Sequence, residues 1–136
     1  MLVNGKAVKL KGVCRHEMHP LTGRVMNPAL ARKDIELYRD ANCNFIRTSH
    51  YPPCEEMLEV CDELGMFVEV EAPFCWAHET KVPEDKMEAV LVNQHVEMVN
   101  LNRSHPSVLM WSMGNESNLY TEYFKRAAEV VKRIDP

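Results

Sequence analysis

The sequence predicts an α/β fold with a parallel β-sheet, because strand-like and helix-like segments alternate along most of its length. Four times, a short apolar run is followed by a segment with helical periodicity. Each run also leads into polar residues: Arg15-His16-Glu17, Arg47 to Tyr51, Glu69-Val70-Glu71 and Asn115-Glu116. Such alternation is typical of parallel sheets covered by helices, in which the carboxyl ends of the strands carry the chemistry.

The composition is that of a single soluble globular domain. The chain has 136 residues, of which 46% are hydrophobic and 26% charged, and the formal net charge is −4. Acids and bases are mixed, without a basic tract that would favour nucleic acid. No apolar run could cross a bilayer, and the first residues turn polar too soon for a signal peptide. We therefore expect no nucleic-acid partner and no membrane partner.

The cysteines argue against a disulfide framework. Their number is odd, and no Cys-x-x-Cys pair occurs. We expect buried free thiols, which favour a reducing, cytoplasmic setting, although the sequence leaves the localisation undetermined. The five cysteines are Cys14, Cys43, Cys54, Cys61 and Cys75.

A β-hairpin and a first parallel strand are predicted at the start of the chain. Asn4-Gly5 is a preferred hairpin turn, and it separates Leu2-Val3 from the run Ala7 to Leu10. The segment from Lys11 to Cys14 is the first strand predicted for the sheet. The residues from Met18 to Met26 predict a loop.

Caps and apolar stripes predict the next two helices. Asn27 before Pro28 is an N-cap followed by proline at the first helical position. Glu55 and Glu56 suit the positive first turn of the second helix, and Gly65 suits its end. The predicted stripes are Ala31, Ile35 and Tyr38 in the first helix and Met57, Leu58, Cys61 and Leu64 in the second.

The remaining strands and helices are predicted by the same patterns. The strands are Phe45 to Ser49, Met66 to Ala72 and Val108 to Met113, the last as a buried strand. The stretch from Pro73 to Pro83 is longer than most connections, which favours a functional loop. His105 before Pro106 ends the third helix. The two further stripes are Met87, Val90, Leu91, Met98 and Leu101, and then Tyr120, Phe124, Ala127, Val131 and Ile134. Periodicity leaves open whether the four units form a small doubly wound domain or half of an eight-unit barrel.

Glu116, preceded by Asn115, is the first candidate for chemistry. A Glu after a strand can simply be a residue of a helix N-terminus, stabilised by the helix dipole. The amide of Asn115, however, can bind a sugar hydroxyl. A Glu buried in a pocket has a raised pKa and can donate a proton to a leaving oxygen near neutral pH.

Two histidines are further candidates. His16 and His50 follow neighbouring strands and lie close to Arg15 and Arg47, so we expect these residues to line one mouth and to contact hydroxyl or carboxylate groups. Each histidine could equally be an ordinary surface or core residue. The spacing of His16 and His19 would suit zinc, but no adjoining ligand pair supports a metal site.

The two tryptophans have different settings. Trp76 lies in a loop beside polar residues and could stack on a sugar, although plain packing is the alternative. Trp111 lies in an apolar strand, which favours the core.

Four stretches of the chain resemble the catalytic domain of glycoside hydrolase family 2, the family of β-galactosidases, β-glucuronidases and β-mannosidases. They follow the family's order and spacing and together span nearly the whole chain. The segment from His16 to Arg24 is most similar to the β-galactosidase branch. The four stretches are Asn4 to Glu17, Asn44 to Pro52, Cys61 to Met66 and Asn102 to Glu116.

The resemblance implies a (β/α)8 TIM barrel, of which residues 1–136 would be the first half: a β-hairpin and four βα units, ending before the fifth strand. It also implies retaining O-glycosyl hydrolysis of a β-glycoside. Glu116 matches the family's general acid/base, and Asn115 matches the amide that binds the 2-hydroxyl. His50 and His16 match histidines that contact the sugar, and Arg47 matches an arginine that holds the nucleophilic carboxylate.

Two departures from the family pattern lead to further expectations. The nucleophilic Glu lies near the end of the seventh strand, which is not present, and a retaining mechanism needs two carboxyl groups about 5–5.5 Å apart. We therefore expect no turnover from these residues alone. Metal-binding members carry Glu-x-His after the third strand, whereas Trp76 stands where the Glu would be expected before His78. We expect no metal and no other cofactor.

The isolated half-barrel should associate with itself. Half a barrel has open sheet edges and apolar inner positions, and such surfaces favour self-association. The alternative to a hydrolase is a non-catalytic carbohydrate-binding or scaffold half-barrel.

Overall fold

A parallel four-stranded sheet forms the centre of the protein. A computed structural model describes residues 1–77, 83–117 and 121–136. An antiparallel hairpin of β1 (Leu2–Val3) and β2 (Lys6–Ala7) precedes a sheet whose strand order is β3 (Gly12–Arg15), β4 (Phe45–Thr48), β5 (Phe67–Glu71) and β6 (Val108–Ser112). The helices that follow these four strands in turn are α1 (Pro28–Asp40), α2 (Glu55–Leu64), α3 (Asn93–Asn102) and α4 (Thr121–Ile134). The predicted hairpin and strand–helix alternation are confirmed.

The strand register places one row of side chains across the sheet. Cys14 is opposite Arg47, Arg47 is opposite Glu69, and Glu69 is opposite Met110. Because side chains alternate between the two faces of a strand, these residues share one face, which we call the inner face. The other face is packed against the helices: Ile46, Val68 and Val70 are fully buried there.

The caps predicted for the first two helices are confirmed. The side chain of Asn27 accepts a hydrogen bond from the backbone N–H of Ala29 at 2.8 Å, and Pro28 is the first residue of α1. Gly65 ends α2 in the left-handed conformation, with φ 70°. The apolar stripes of both helices are buried against the sheet, with Ala31 and Ile35 from α1 and Met57, Leu58 and Cys61 from α2.

The third helix differs from its prediction. A π-helical segment, Glu88–Val92, precedes α3. Its wider turn changes which residues face the core. Leu101, predicted in the apolar stripe, is 75% exposed, whereas Asn102 is buried and donates a hydrogen bond to the carbonyl of Met98 at 2.7 Å. His95, which the stripe did not include, is fully buried.

β6 is not the fully buried strand that its apolar sequence predicts. All five of its residues are only partly buried. The reason is its place at the end of the strand order, with β5 as its single neighbour among the described residues. Trp111 packs against the core from this strand and donates through Nε1 to Asp135 at 2.7 Å. Tyr120 of the predicted fourth stripe lies outside the described residues.

The expectation of buried thiols is only partly correct. All five cysteines are free, but Cys61 alone is buried, while Cys14 and Cys75 are exposed. Cys14 is exposed because it lies on the open inner face. Across the described ranges, no helix has both the length and the apolar character needed to cross a bilayer.

Candidate active site

The candidate residues lie at the carboxyl ends of the four parallel strands. They are His16 after β3, Arg47 and His50 at the end of β4, Trp76 after β5, and Asn115 and Glu116 after β6. Parallel pairing brings these ends to one edge of the sheet. Residues that are up to a hundred positions apart therefore become neighbours.

A buried carboxylate, Glu71, lies at the centre of this edge. Its side chain has no exposed surface. Oε2 accepts hydrogen bonds from Arg47 Nε and from Ser112 Oγ, both at 2.7 Å, and Oε1 is 2.6 Å from His50 Nδ1. The backbone N–H of Glu71 donates to Thr48 Oγ1 at 3.0 Å. A buried charge is tolerated when it is paired and hydrogen-bonded in this way.

Arg47 connects this carboxylate to the segment after β6. Its Nη2 donates to Asn115 Oδ1 at 2.9 Å, while its Nε is bound to Glu71. Burial disfavours the charged guanidinium, but the hydrogen bonds to Glu71 and Cys14 outweigh this effect, and the pKa of Arg47 is raised. Arg47 is therefore a permanent cation that holds two neighbouring groups of the edge together.

Glu69 lies one inner-face position before Glu71. Burial raises the pKa of this carboxyl; the nearby charge of Arg47 opposes the shift and that of Glu71 adds to it. Glu69 is only half-buried, and its strand neighbours are Arg47 and Met110. The carboxylate of Glu69 thus interacts with the charges of Arg47 and Glu71. It lies one inner-face position further from the carboxyl ends of the strands than Glu71 does.

The two histidines face each other across the first two strand ends. The ring centroids of His16 and His50 are 5.2 Å apart in an edge-on arrangement. The guanidinium of Arg24 lies 4.9 Å from the centre of the Tyr51 ring, in cation–π geometry. A cavity of about 370 Å³ opens here, and its lining residues are His16, Arg24, His50, Tyr51, Pro73 and Cys75.

Trp76 and Glu116 are in direct contact. Nε1 of Trp76 donates to Glu116 Oε2 at 2.7 Å. Their two segments are also joined through the backbone, because the N–H of Trp76 donates to the carbonyl of Asn115 at 3.1 Å and the N–H of Asn115 donates to the carbonyl of Phe74 at 2.7 Å. The loop after β5 therefore sets the position of the loop after β6.

The Asn-Glu segment has a backbone that depends on the glycine before it. Gly114 has φ 152°, and a Cβ atom at this position would lie 2.8 Å from the carbonyl oxygen of Phe74. Glu116 itself has φ 45°. Within the described residues its side chain is exposed and is not enclosed in a pocket.

Arg15 does not line the mouth, contrary to its expected position. It is only 4% exposed, and its Nη2 donates to Asp34 of α1 at 2.9 Å. Arg15 follows Cys14 of the inner face and so points to the helix side of β3. Its second partner, Glu17, accepts from the backbone N–H of Cys54 at 3.1 Å and caps α2. This network lies on the helix side of the sheet and joins the end of β3 to α1 and to the start of α2.

No group of three His, Cys, Asp or Glu side chains with metal-binding geometry occurs in the described parts of the chain. His19, the second histidine of the weak zinc spacing, accepts through Nδ1 from the backbone N–H of Leu21 at 3.3 Å. His78, which follows Trp76 at the position of the histidine in the Glu-x-His pattern of metal-binding members, lies outside the described residues.

Sequence reasoning missed Glu71 as a member of the site. The sequence shows the polar cluster Glu69-Val70-Glu71 at the end of a strand but gives no role to either carboxylate. A signal was available, because a strand with buried Val68 and Val70 on one face carries two carboxylates on the other. Carboxylates on a partly buried strand need hydrogen-bond donors as partners, but the sequence does not show which residues these are. Ser112 was missed for the same reason.

Comparison with known proteins agrees with this fold. A family model described as "Glycosyl hydrolases family 2, TIM barrel domain" matches residues 1–136. A β-galactosidase of Vibrio cholerae is 38% identical over 125 residues, which cover 89% of this chain and 12% of the relative. A β-glucuronidase of Paenibacillus borealis is 33% identical over 148 residues, which cover 99% of this chain and 25% of the relative.

Solved structures show the same similarity. The β-glucuronidase of Ruminococcus gnavus in complex with D-glucaro 1,5-lactone matches with a TM-score of 0.88 and 31% identity, over 98% of this chain and 23% of that one. A family 2 glycosyl hydrolase of Bacteroides cellulosilyticus matches with a TM-score of 0.81 and 35% identity, over 97% and 18% of the two chains. The chain thus spans a quarter or less of these relatives, and its parallel βα units are part of a TIM barrel. The chain belongs to the family 2 glycosyl hydrolases, as a portion of their TIM barrel domain.

Proposed function

We propose that this chain supplies the acid/base side of the active site of a retaining β-glycosidase that acts on β-galactosides. The observation that carries the proposal is the hydrogen bond between Arg47 Nη2 and Asn115 Oδ1. It joins the Asn-Glu segment after β6 to the strand end that carries His50. A carboxylic acid, an amide and an imidazole thereby share one edge.

Each side chain has a role in this proposal. Glu116 gives a proton to the leaving oxygen and later takes one from water. Asn115 accepts from Arg47 through Oδ1 and donates through Nδ2 to Cys75 Sγ at 3.5 Å, and its second amide N–H is offered to a sugar hydroxyl. His50 and His16 line the cavity where the sugar ring binds. Trp76, 58% exposed, offers a flat face to a sugar while its Nε1 holds Glu116.

The second carboxylate must come from elsewhere. Retaining hydrolysis needs a nucleophile about 5–5.5 Å from the acid/base. Glu71 is unsuited because it is fully buried and its two oxygens are bound by Arg47, Ser112 and His50. We propose that residues 1–136 are the first half of the barrel and that a later strand supplies the nucleophile. The small share of each relative that the chain spans supports this division.

The substrate class is the finer part of the proposal. The resemblance of His16 to Arg24 to the β-galactosidase branch supports galactosides, and the named relatives include both β-galactosidases and β-glucuronidases. Comparing the hydrolysis of nitrophenyl β-galactoside and β-glucuronide by the full-length protein tests it. A preference for the glucuronide would overturn the substrate class and leave the reaction class intact.

The acid/base role is tested with Glu116→Gln in the full-length protein. Loss of general acid catalysis should lower turnover of a nitrophenyl glycoside roughly 10²- to 10⁴-fold. A dinitrophenyl glycoside should be affected much less, because its leaving group needs no proton. Glu122→Gln, an exposed carboxylate of α4 paired with Lys125, is the matched control. Unchanged turnover in Glu116→Gln would exclude the role, and sugar binding without any hydrolysis by the unsubstituted protein would favour a carbohydrate-binding half-barrel.

A further inference from the structure

We infer that Glu71 is a positioning residue that fixes the tautomer and the orientation of His50. Its carboxylate keeps the proton of the imidazole on Nδ1, so that Nε2 is presented to the substrate as a hydrogen-bond acceptor. The effect of this arrangement on catalysis rests on the proposed function; the arrangement itself does not.

The geometry around the carboxylate of Glu71 makes it a hydrogen-bond acceptor. Arg47 Nε and Ser112 Oγ both approach Oε2 at 2.7 Å, and Arg47 Nη2 lies 2.5 Å from the same oxygen, so Oε2 is fully occupied by these two side chains. Oε1 faces His50 Nδ1 at 2.6 Å. The guanidinium of Arg47 carries only donors and forms an ion pair with Glu71, so the carboxylate acts as the acceptor in this contact. An ionised carboxylate accepts and cannot donate.

The tautomer of His50 follows from this state. A nitrogen 2.6 Å from a carboxylate oxygen must carry the hydrogen, so Nδ1 is the N–H of the ring. The second neighbour of Nδ1 is Arg47 Nη2 at 3.5 Å, and this contact would require Nδ1 to accept. The Glu71 contact is nearly an ångström shorter and is charge-assisted, so it determines the position of the proton. In the neutral ring, Nε2 is then the acceptor.

The ring is also held in place at the cavity. The side chain of His50 is 24% exposed, whereas Glu71 is not exposed at all. The exposed part lines the cavity that His16 and Cys75 share. Glu71 therefore cannot contact a sugar bound there, and it acts only through His50 and Arg47. This is why we assign it positioning and not catalysis.

An amide in place of the carboxylate reverses the proton position. Glu71→Gln retains one acceptor oxygen, which the charged Arg47 will take. The amide NH2 group is then turned towards His50 Nδ1 and acts as a donor. Nδ1 must accept from it, and the proton moves to Nε2. The variant has nearly the same shape, but it presents a donor where the substrate met an acceptor.

The experiment uses the full-length protein labelled with 15N-histidine. Side-chain 15N chemical shifts distinguish the two tautomers, and a His50→Gln sample identifies the His50 signals. We expect the Nδ1–H tautomer in the unsubstituted protein and the Nε2–H tautomer in Glu71→Gln. We expect kcat for an aryl glycoside to fall roughly 10- to 100-fold in that variant, the loss of one hydrogen bond to a charged group, with a smaller change in KM.

Glu69→Gln is the matched control, because it removes a carboxylate from the same strand and face without touching His50. It should keep the Nδ1–H tautomer and lose no more than about twofold in kcat. An Nε2–H tautomer in the unsubstituted protein would overturn the inference, and this measurement stands even if Glu71→Gln fails to fold. A tautomer shift without loss of kcat would overturn the contribution of Glu71 to catalysis and would support its control of the tautomer. If the unsubstituted protein hydrolyses no glycoside, the proposed function fails, while the tautomer measurement still tests the geometry.

Discussion

Arg47 Nη2 donates to Asn115 Oδ1 at 2.9 Å, a contact between residues 68 positions apart. The same guanidinium donates through Nε to the buried carboxylate of Glu71. Two planar N–H directions of one side chain thus connect the ends of β4, β5 and the segment after β6. This requires arginine, because the guanidinium has several donors in a fixed plane.

Arg47→Lys should disrupt the edge although the charge is retained. A lysine offers one point charge and cannot satisfy Glu71 and Asn115 in the same geometry. Losing one charge-assisted bond costs about 1.5–3 kcal/mol, so kcat/KM for an aryl glycoside should fall roughly 10- to 100-fold in the full-length protein. Arg126→Lys, in an exposed pair with Glu88, is the control and should behave as wild type. Equal kinetics in both variants would contradict the bridging role.

Gly114→Ala should displace the Asn-Glu segment. A Cβ atom there would meet Phe74 O at 2.8 Å, and this carbonyl also accepts the N–H of Asn115. We expect a cost of about 2 kcal/mol in stability and a large loss of activity. Gly65→Ala is the comparison: its φ is 70°, but no atom lies within 4 Å of the added carbon. It should cost about 1 kcal/mol in a thermal or urea melt and leave the kinetics unchanged.

Asp62 should make stability depend on pH at the opposite end of the sheet. Its carboxylate accepts from Ser107 N at 2.9 Å and contacts His105 Nδ1 at 2.6 Å. Burial tends to raise the pKa of Asp62, but the hydrogen bonds from Ser107 and His105 outweigh burial and lower it. The folded-state pKa is thus below the unfolded value of about 3.9. The resulting stability is fully present above pH 4 and is lost as pH falls through the folded pKa.

The measurement for Asp62 compares melting temperature against pH in the wild type and in Asp62→Asn. Above pH 5 the variant should be less stable by about 1 kcal/mol, and the difference should shrink towards pH 3. Glu63→Gln removes the neighbouring exposed carboxylate, which pairs with Arg32 on the surface, and should have little effect. A difference between wild type and Asp62→Asn that does not change with pH would be evidence against a contribution from the ionised carboxylate.

The cysteines should differ in their reactivity in the native chain. Cys14 and Cys75 are exposed, whereas burial raises the pKa of Cys54 and of Cys61 to about 12. Because the thiolate is the reactive form, iodoacetamide near neutral pH should label Cys14 and Cys75 first. Peptide mapping by mass spectrometry gives the order, and denatured protein is the control in which all five react. Early labelling of Cys61 would mean that α2 is not packed as described.

Residues 1–136 on their own should self-associate. In the described sheet β3 and β6 each have one strand neighbour, and the inner face carries half-buried Phe45, Phe67 and Met110. Unpaired strand edges next to apolar surface favour association. Sedimentation velocity should show species larger than a monomer that increase with concentration, and Met110→Lys should reduce them. A monodisperse monomer at every concentration would disprove this.

Several elements of the fold could be predicted because their causes are local. The turn at Asn4-Gly5, the start of α1 at Asn27-Pro28 and the end of α2 at Gly65 each depend on residues a few positions away. Alternation of strands and helices then implies a parallel sheet, and a parallel sheet has its carboxyl ends at one edge. The common location of His16, His50 and Asn115 follows from these steps.

Other features could not be predicted because a shift of one residue reverses them. Arg15 and Cys14 are adjacent, yet one is buried beneath the helices and the other is exposed on the inner face. Leu101 and Asn102 exchange their expected places after the π-helical segment. Sequence periodicity does not fix the phase of a strand or helix that closely.

The sequence by itself determined which segments become strands and helices, and which polar groups end each strand, since neighbouring residues control both. Only the tertiary structure decided which of those groups meet. The register that sets Glu71 opposite Ser112, and Arg47 within reach of Asn115, results from packing whole helices onto the sheet. A buried carboxylate obtains its partners from that packing, because burial removes water as the alternative partner and leaves only the donors that the fold brings near.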